Sequence, residues 1–216
     1  MVFKRRDTRS WLQAVGHFFY PKGGWGRAVS YVGHRLRRLP DPPHKIARGV
    51  AAGVFVCFTP FFGLHFVLAA LLAFVMQGNL VAALLATFFG NPITFPIIAA
   101  LSLELGAWML GTPGGLPLQE VFAQFTHASV ELWTNLTALF TGDAARWDQL
   151  HSFYRRVFFP YIVGGLIPGT ITGVVVYMLT LPAVEAYQNR RVKKLKARMK
   201  KRRQAMEKAD AAAKTD

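Results

Sequence analysis

The chain has 216 residues, of which 52% are hydrophobic and only 17% charged, with mean hydropathy +0.26 and a net charge of +15. A water-soluble domain carries about a quarter charged residues, so this balance argues against one, and a single cysteine, Cys57, excludes an intrachain disulfide. The basic excess sits at the two ends: residues 1–48 hold 11 Lys and Arg and residues 190–214 hold 12, with no nucleic-acid motif among them, so the expected partner is anionic lipid rather than nucleic acid.

The first segment, residues 1–41, reads as basic and amphipathic. Trp11, Leu12, Val15, Phe18 and Phe19 recur at helical spacing, as do Trp25, Val29, Val32, Leu36 and Leu39, and Pro21-Lys22-Gly23-Gly24 separates the two stripes. Arg27, Arg35, Arg37 and Arg38 fall mostly on other faces. Two membrane-surface helices over 8–39 satisfy this pattern, with Arg35, Arg37 and Arg38 on lipid headgroups; packing on the protein's own bundle satisfies it as well. No continuous apolar run follows the basic start, so no signal peptide is expected. Asp41 is expected to cap the next helix, with Pro42 in its first position.

Residues 42–184 form the expected membrane domain. Residues 49–103 contain no Asp, Glu, Lys or Arg. As one helix they would reach roughly 80 Å, against a bilayer core of about 30 Å, so they must cross or re-enter at least twice. Breaks punctuate the run: Thr59-Pro60-Phe61-Phe62-Gly63, Gln77-Gly78-Asn79, and Gly90-Asn91-Pro92-Ile93-Thr94-Phe95-Pro96, with Gly111 closing it. Residues 112–156 are mixed, and Val121, Phe122, Phe125, Leu132, Trp133, Leu136 and Phe140 suit an amphipathic helix outside the membrane. Residues 157–184 are again free of charge, with Pro168-Gly169 marking a further break. Residues 185–216 read as a basic cytoplasmic helical tail, with Arg190, Arg191, Lys193 and Lys194 as headgroup ligands, a stop-transfer anchor, or a dock for an acidic protein.

Parity limits the topology. Basic ends belong in the cytoplasm, so crossings must be even in number, yet 49–77, 79–111 and 157–184 make three. The favoured solution has 49–77 as a re-entrant hairpin turning at Pro60–Gly63, 79–111 crossing outward through a break at Asn91-Pro92, and 157–184 returning. The expectation is therefore an all-α, small polytopic membrane bundle with broken or re-entrant helices and flanking amphipathic surface helices.

Several stretches resemble the bacterial membrane family called domain of unknown function 2062: Pro43-His44 with Ile46-Ala47-Arg48-Gly49, Gly53-Val54-Phe55, Thr59-Pro60-Phe61-Phe62-Gly63-Leu64-His65, and Gly90-Asn91-Pro92-Ile93-Thr94. The resemblance covers roughly residues 20–185. It implies a small bacterial inner-membrane protein and supplies no mechanism.

Irregular backbone at membrane depth is tolerated where it is buried or lines a cavity, and broken helices of transporters bind ligands at such points. Thr59, His65, Asn91 and Thr94, together with Glu104, are thus the candidate substrate contacts, with Pro60, Gly63, Gly90, Pro92, Pro96 and Pro168 as helix breaks. The competing reading is that Pro and Gly only kink packed helices, Asn91 caps the half-helix after it, and His65 bonds a freed carbonyl. Glu104 is the one acid in the apolar stretch, suited to taking a proton, to pairing with Arg48, or to sitting solvated at the outer edge. The histidines show no zinc spacing, and no hydrolase, nucleotide-loop or redox motif is present, so no metal, no cofactor and no enzyme activity are expected. Two functions remain: a small transporter or lipid-handling protein with a polar site at the breaks, or a non-catalytic scaffold or regulatory subunit binding lipid or a partner through its tail. A chain with so few spans also suits a homo-oligomer or a membrane-protein partner.

Overall fold

A computed structural model describes residues 24–114, 116–141 and 144–213. These residues are all-helical, with no strand among them. The helices are α1 (Gly24–Arg37), α2 (Pro43–Val56), α3 (His65–Val75), α4 (Leu80–Ala86), α5 (Thr94–Leu110), α6 (Leu118–Thr141), α7 (Asp148–Phe153) and α8 (Phe159–Ala213). A short 3-10 turn (Thr87–Phe89) follows α4, and a π-helical turn (Tyr154–Phe158) joins α7 to α8. The surface helix expected before residue 21 lies outside the described residues.

α2 is the centre of the molecule. Pro43 sits at its first position, where a missing N–H costs nothing. From Ile46 onward nearly every side is buried, as expected of a helix that is apolar all round. It packs on α8, α4 and α3. Asp41 does not cap it, which corrects the expectation: Pro42 is the N-cap residue and no side chain bonds there. The Asp41 carboxylate instead accepts from Lys45 Nζ at 3.2 Å and from Asn79 Nδ2.

Residues 45–79 close on themselves. The chain turns at 57–64, where Thr59, Pro60 and Gly63 interrupt the helix and Gly63 adopts φ +86°. α3 then returns along α2, and the Asn79 N–H reaches the Lys45 carbonyl at 2.8 Å. Asn79 caps α4 by accepting from the Ala82 N–H at 2.6 Å. α4 runs beside α2, so close that a Cβ on Gly49 or Gly53 would strike the carbonyls of Asn79 and Ala83.

Between α4 and α5 the axis bends by 86° across Gly90–Ile93. This is a corner, sharper than a kink within one straight crossing. Pro96 falls in the first turn of α5, where helices accept proline, so it breaks nothing. α5 ends at Gly111, in the left-handed conformation with φ +63°, and packs along α8. Ser102 and Gly106 of α5 meet Gly164 and Pro160 of α8, with backbone against backbone. Small residues permit such close approach, the habit of helices that associate in lipid.

α8 spans 55 residues and runs unbroken through Pro168 and Pro182. The expected break at Pro168 is therefore absent. A proline inside a helix removes one ladder bond, and neighbouring helices hold the rest of the ladder in place. Gln188 Nε2 donates to the Asp41 carbonyl at 3.0 Å. The start of α2 and the start of the basic tail thus share one end of the molecule.

α6 buries a different face from the one its apolar stripe suggests. Val121, Ala128, Glu131 and Asn135 are buried, while Phe122, Leu132, Trp133, Leu136 and Phe140 face outward. The two polar residues hold the following loop. Glu131 Oε1 accepts from the Gln149 N–H at 3.1 Å, and Asn135 Oδ1 accepts from the Arg146 N–H at 3.0 Å.

By length and composition, one helix can cross a membrane, within Asp148–Gln204, and a second if the bent pair Leu80–Phe89 and Thr94–Leu110 counts as one span. α3 is apolar but shorter than a span.

Candidate functional site

The two breaks meet. Phe62, from the first, packs edge-on against Phe95, from the second, at 5.3 Å between ring centroids. Phe62 also meets Phe125 of α6 at 4.9 Å, and His65 lies 5.5 Å from Phe95. Beside this aromatic cluster lies a groove of about 860 Å³. Phe62, Pro92, Phe95 and Pro96 form one wall, and α6 forms the other through Phe122, Phe125, Val130 and Trp133. Among the described lining residues, Thr126 and Ser129 alone carry hydroxyls. The Thr126 hydroxyl donates back to the Phe122 carbonyl at 2.9 Å and that of Ser129 to the Phe125 carbonyl at 2.7 Å. The groove is therefore apolar, whereas the sequence reading expected a polar site at the breaks.

The polar atoms expected there are spent on the backbone. The Thr59 hydroxyl donates to the Val56 carbonyl at 2.7 Å, and buried His65 bonds through Nε2 to the Thr59 carbonyl at 3.2 Å. A carbonyl only accepts, so that nitrogen carries the proton. At the second break, Asn91 Oδ1 accepts from the N–H groups of Ile93 at 2.9 Å and Thr94 at 3.1 Å. Thr94 Oγ1 accepts from the Asn91 N–H at 2.9 Å and donates to the Phe89 carbonyl at 2.6 Å. The pair forms a closed box over the donors that α5 would otherwise leave open. Gly90 supplies room rather than polarity, since a Cβ there would press on Phe95 and on Cys57 Sγ.

Glu104 is remote from both breaks. It is exposed on α5, its carboxylate lies against Gly114, and it has no ion-pair partner among the described residues, Arg48 included. Arg35 and Arg37 in the last turn of α1, and Arg38 just after it, are exposed. Arg190, Arg191, Lys193 and Lys194 are exposed on the projecting part of α8, within about two turns past Gln188. No three of His, Cys, Asp and Glu converge as metal ligands among the described residues.

Two further cavities were not signalled by the breaks. One, of about 460 Å³, lies between α2, α3 and α8 and is headed by Arg48. The other, of about 510 Å³, lies at the far end of α5 and α8, where the π-helical turn places Arg155 and Arg156 beside Ser152 and Thr112. In the sequence Arg48 is the last charge before the apolar run and a candidate partner for Glu104, and nothing in the spacing shows that α2, α3 and α8 enclose a groove beside it.

Residues 26–193 match the model of a protein family described as an uncharacterized protein conserved in bacteria, domain of unknown function 2062. No curated protein and no solved structure matches the chain.

Proposed function

This chain belongs to that bacterial family, and from this premise we propose that it is a small multi-pass inner-membrane protein, not an enzyme, that holds the apolar chain of a lipid in the groove where its two helix breaks meet α6. The observation that carries the reading is the groove itself: about 860 Å³, within the roughly 300–1,000 Å³ of ligand sites, and lined by aromatic and aliphatic side chains. Its described lining offers no charged side chain to an ion, and the hydroxyls of Thr126 and Ser129 are bonded to the backbone.

Membrane residence is supported by which side chains face outward. α3 turns His65, Ala69 and Ala73 inward and shows Phe66, Val67, Leu71, Phe74 and Val75. Phe74 is 74% exposed, Trp108 of α5 79% and Phe140 of α6 90%. On α3, large apolar groups outside and small ones inside invert the pattern of a water-soluble bundle, and large apolar groups face outward from α5 and α6 as well. Lipid is the solvent that makes this stable.

The chain path supports an even number of crossings with both ends cytoplasmic. Residues 45–79 leave and return at one end, α4 and α5 carry the chain to the other around the 86° corner, and α8 comes back beside Asp41. In this reading 45–79 is a re-entrant hairpin and the loop between α6 and α8 lies outside. The alternative, a scaffold or regulatory subunit, draws on the exposed basic stretch of α8 beyond Gln188.

The test uses the full chain in lipid nanodiscs with a phospholipid carrying a photoactivatable group on its acyl chain. Adducts should concentrate on Phe122, Val130 and Trp133 relative to the outer face of α3, and Ser129→Trp should remove them. Equal labelling of the groove and of Phe74, unchanged by Ser129→Trp, would overturn the proposal.

A further inference from the structure

We infer that the second groove, between α2, α3 and α8, is a binding site for a glycerophospholipid, with the phosphate on the Arg48 guanidinium and an acyl chain along Phe55, Leu72 and Val174. It is built from walls separate from those of the groove at the breaks, so it stands whether or not that groove holds lipid.

The argument starts from an uncompensated charge. Arg48 lies one turn inside Lys45 on α2, at the head of a cavity of about 460 Å³. Its Nε is buried and has no hydrogen-bond partner. The nearest acid in sequence, Asp41, is engaged by Lys45 and Asn79. Among the described residues no carboxylate pairs with Arg48. A guanidinium with a desolvated donor costs free energy unless an acceptor meets it. Phosphate matches the fork of a guanidinium with two parallel bonds.

The rest of the cavity fixes what the phosphate is attached to. Below Arg48 the lining is Ala51, Ala52, Phe55, Leu72, Met76 and Val174, with no charge. Gly173 faces Ala51 and Phe55, and the absence of a side chain there opens the groove. At the other side of the mouth, Tyr177 OH lies 2.9 Å from His44 Nδ1, and no acidic side chain is among the described lining residues. A cationic head above an apolar slot is complementary to an anionic head on an apolar chain. The site also lies at the end shared with the basic tail, through the Gln188–Asp41 bond, which is where headgroups stand in the proposed orientation.

Native mass spectrometry of the full chain in detergent tests this, with phosphatidylglycerol, diacylglycerol and inorganic phosphate as separate probes. Phosphatidylglycerol should bind about tenfold more tightly than diacylglycerol, the step expected of one charge-assisted contact. Arg48→Gln should abolish that difference and Arg48→Lys should keep part of it. Val174→Trp, a change at an exposed groove wall, should weaken both lipids, and Ser129→Trp in the other groove should weaken neither at this site. Inorganic phosphate at millimolar concentration should not compete. Equal binding of the two lipids, or tight phosphatidylglycerol binding that survives both Arg48→Gln and Val174→Trp, overturns the assignment and leaves only annular lipid. Should Arg48→Gln fail to fold, Val174→Trp still decides.

Discussion

Asn79 Nδ2 donates to the carboxylate of Asp41, 38 positions earlier in the chain, and this bond ties the entrance of α2 to the entrance of α4. The same asparagine caps α4 through its Oδ1, and the backbone of Asp41 receives Gln188 from α8. Three helices are joined at one polar knot at the end of an otherwise apolar bundle.

Asn79→Ala should therefore remove both a cap and a cross-link. Loss of a cap alone costs about 1 kcal/mol, and the lost bond to a carboxylate adds about 1 more. A drop in thermal midpoint of several degrees, measured in detergent by scanning fluorimetry, is expected, with Asn79→Asp also harmed because it places two carboxylates together.

The pH dependence of the knot follows from the sign of the Asp41 shift. The Asn79 amide, followed by the Lys45 ammonium, holds this carboxyl below its ordinary 3.8. A lowered folded value means the stabilisation is complete above the ordinary value and is lost as pH falls through the lowered one. Wild type should lose thermal stability on acidification below about pH 4, and Asp41→Asn should flatten that loss while lowering stability at neutral pH. Identical acid profiles for the two proteins would contradict this account.

The contact between α5 and α8 makes a third prediction. A Cβ on Gly164 would run into the Ser102 carbonyl and the Gly106 backbone, which cannot move aside as a side chain can. Gly164→Ala should cost about 1–3 kcal/mol or more, seen as lower yield and midpoint. Gly33→Ala on α1 is the control: nothing lies within 4 Å of its Cβ position, and the change should be neutral or stabilising by up to about 1 kcal/mol.

These two regions differ in how far the sequence reveals them. Gln77-Gly78-Asn79 reads as a turn because its residues favour one, and Gln77 does take φ 52° there. The apolar runs and their punctuation place α2 through α5 within a few residues, since apolar length and Pro or Gly interruptions are local properties. Pairings are not local. Nothing in the spacing says that Phe62 meets Phe95, that Asp41 serves Asn79 rather than its own helix, or that α6 buries Glu131 and Asn135 while showing Trp133. Pro168 misleads for the same reason: its effect on a helix depends on the neighbours that hold the remaining turns. The candidate polar site at Thr59, His65, Asn91 and Thr94 was legible as a set of residues at two breaks, but their partners are backbone groups that sequence does not expose.

Asn91 gives a fourth prediction. Its side chain and that of Thr94 satisfy the donors at the start of α5. Asn91→Ala should cost about 1–2 kcal/mol, as loss of a helix-start acceptor does, and lower the amount of folded protein. Lipid capture per folded molecule should stay within about twofold, since a change under about 0.4 kcal/mol is all that a wall without Asn91 implies. If Asn91→Ala folds normally and loses capture, the asparagine contacts ligand directly and the apolar account of the break groove is wrong.

The last prediction concerns the tail, where fold and topology separate. Residues 189–204 of α8 are all exposed, so a chain ending after Asn189 should keep its thermal midpoint. A chain ending after Glu185 also loses Gln188 and its bond to the Asp41 carbonyl, and should lose about 1 kcal/mol. Orientation should respond in the other direction. Arg190, Arg191, Lys193 and Lys194 lie nearest the apolar part of α8, and basic residues within about 15–20 positions of a span bias it to the cytoplasm. Replacing those four by glutamine in the full chain should leave the midpoint within about 0.5 kcal/mol but raise the fraction whose C-terminal tag is reached by protease from outside intact spheroplasts. Unchanged protection would show that the 45–79 hairpin and the N-terminal basic segment set the orientation without the tail.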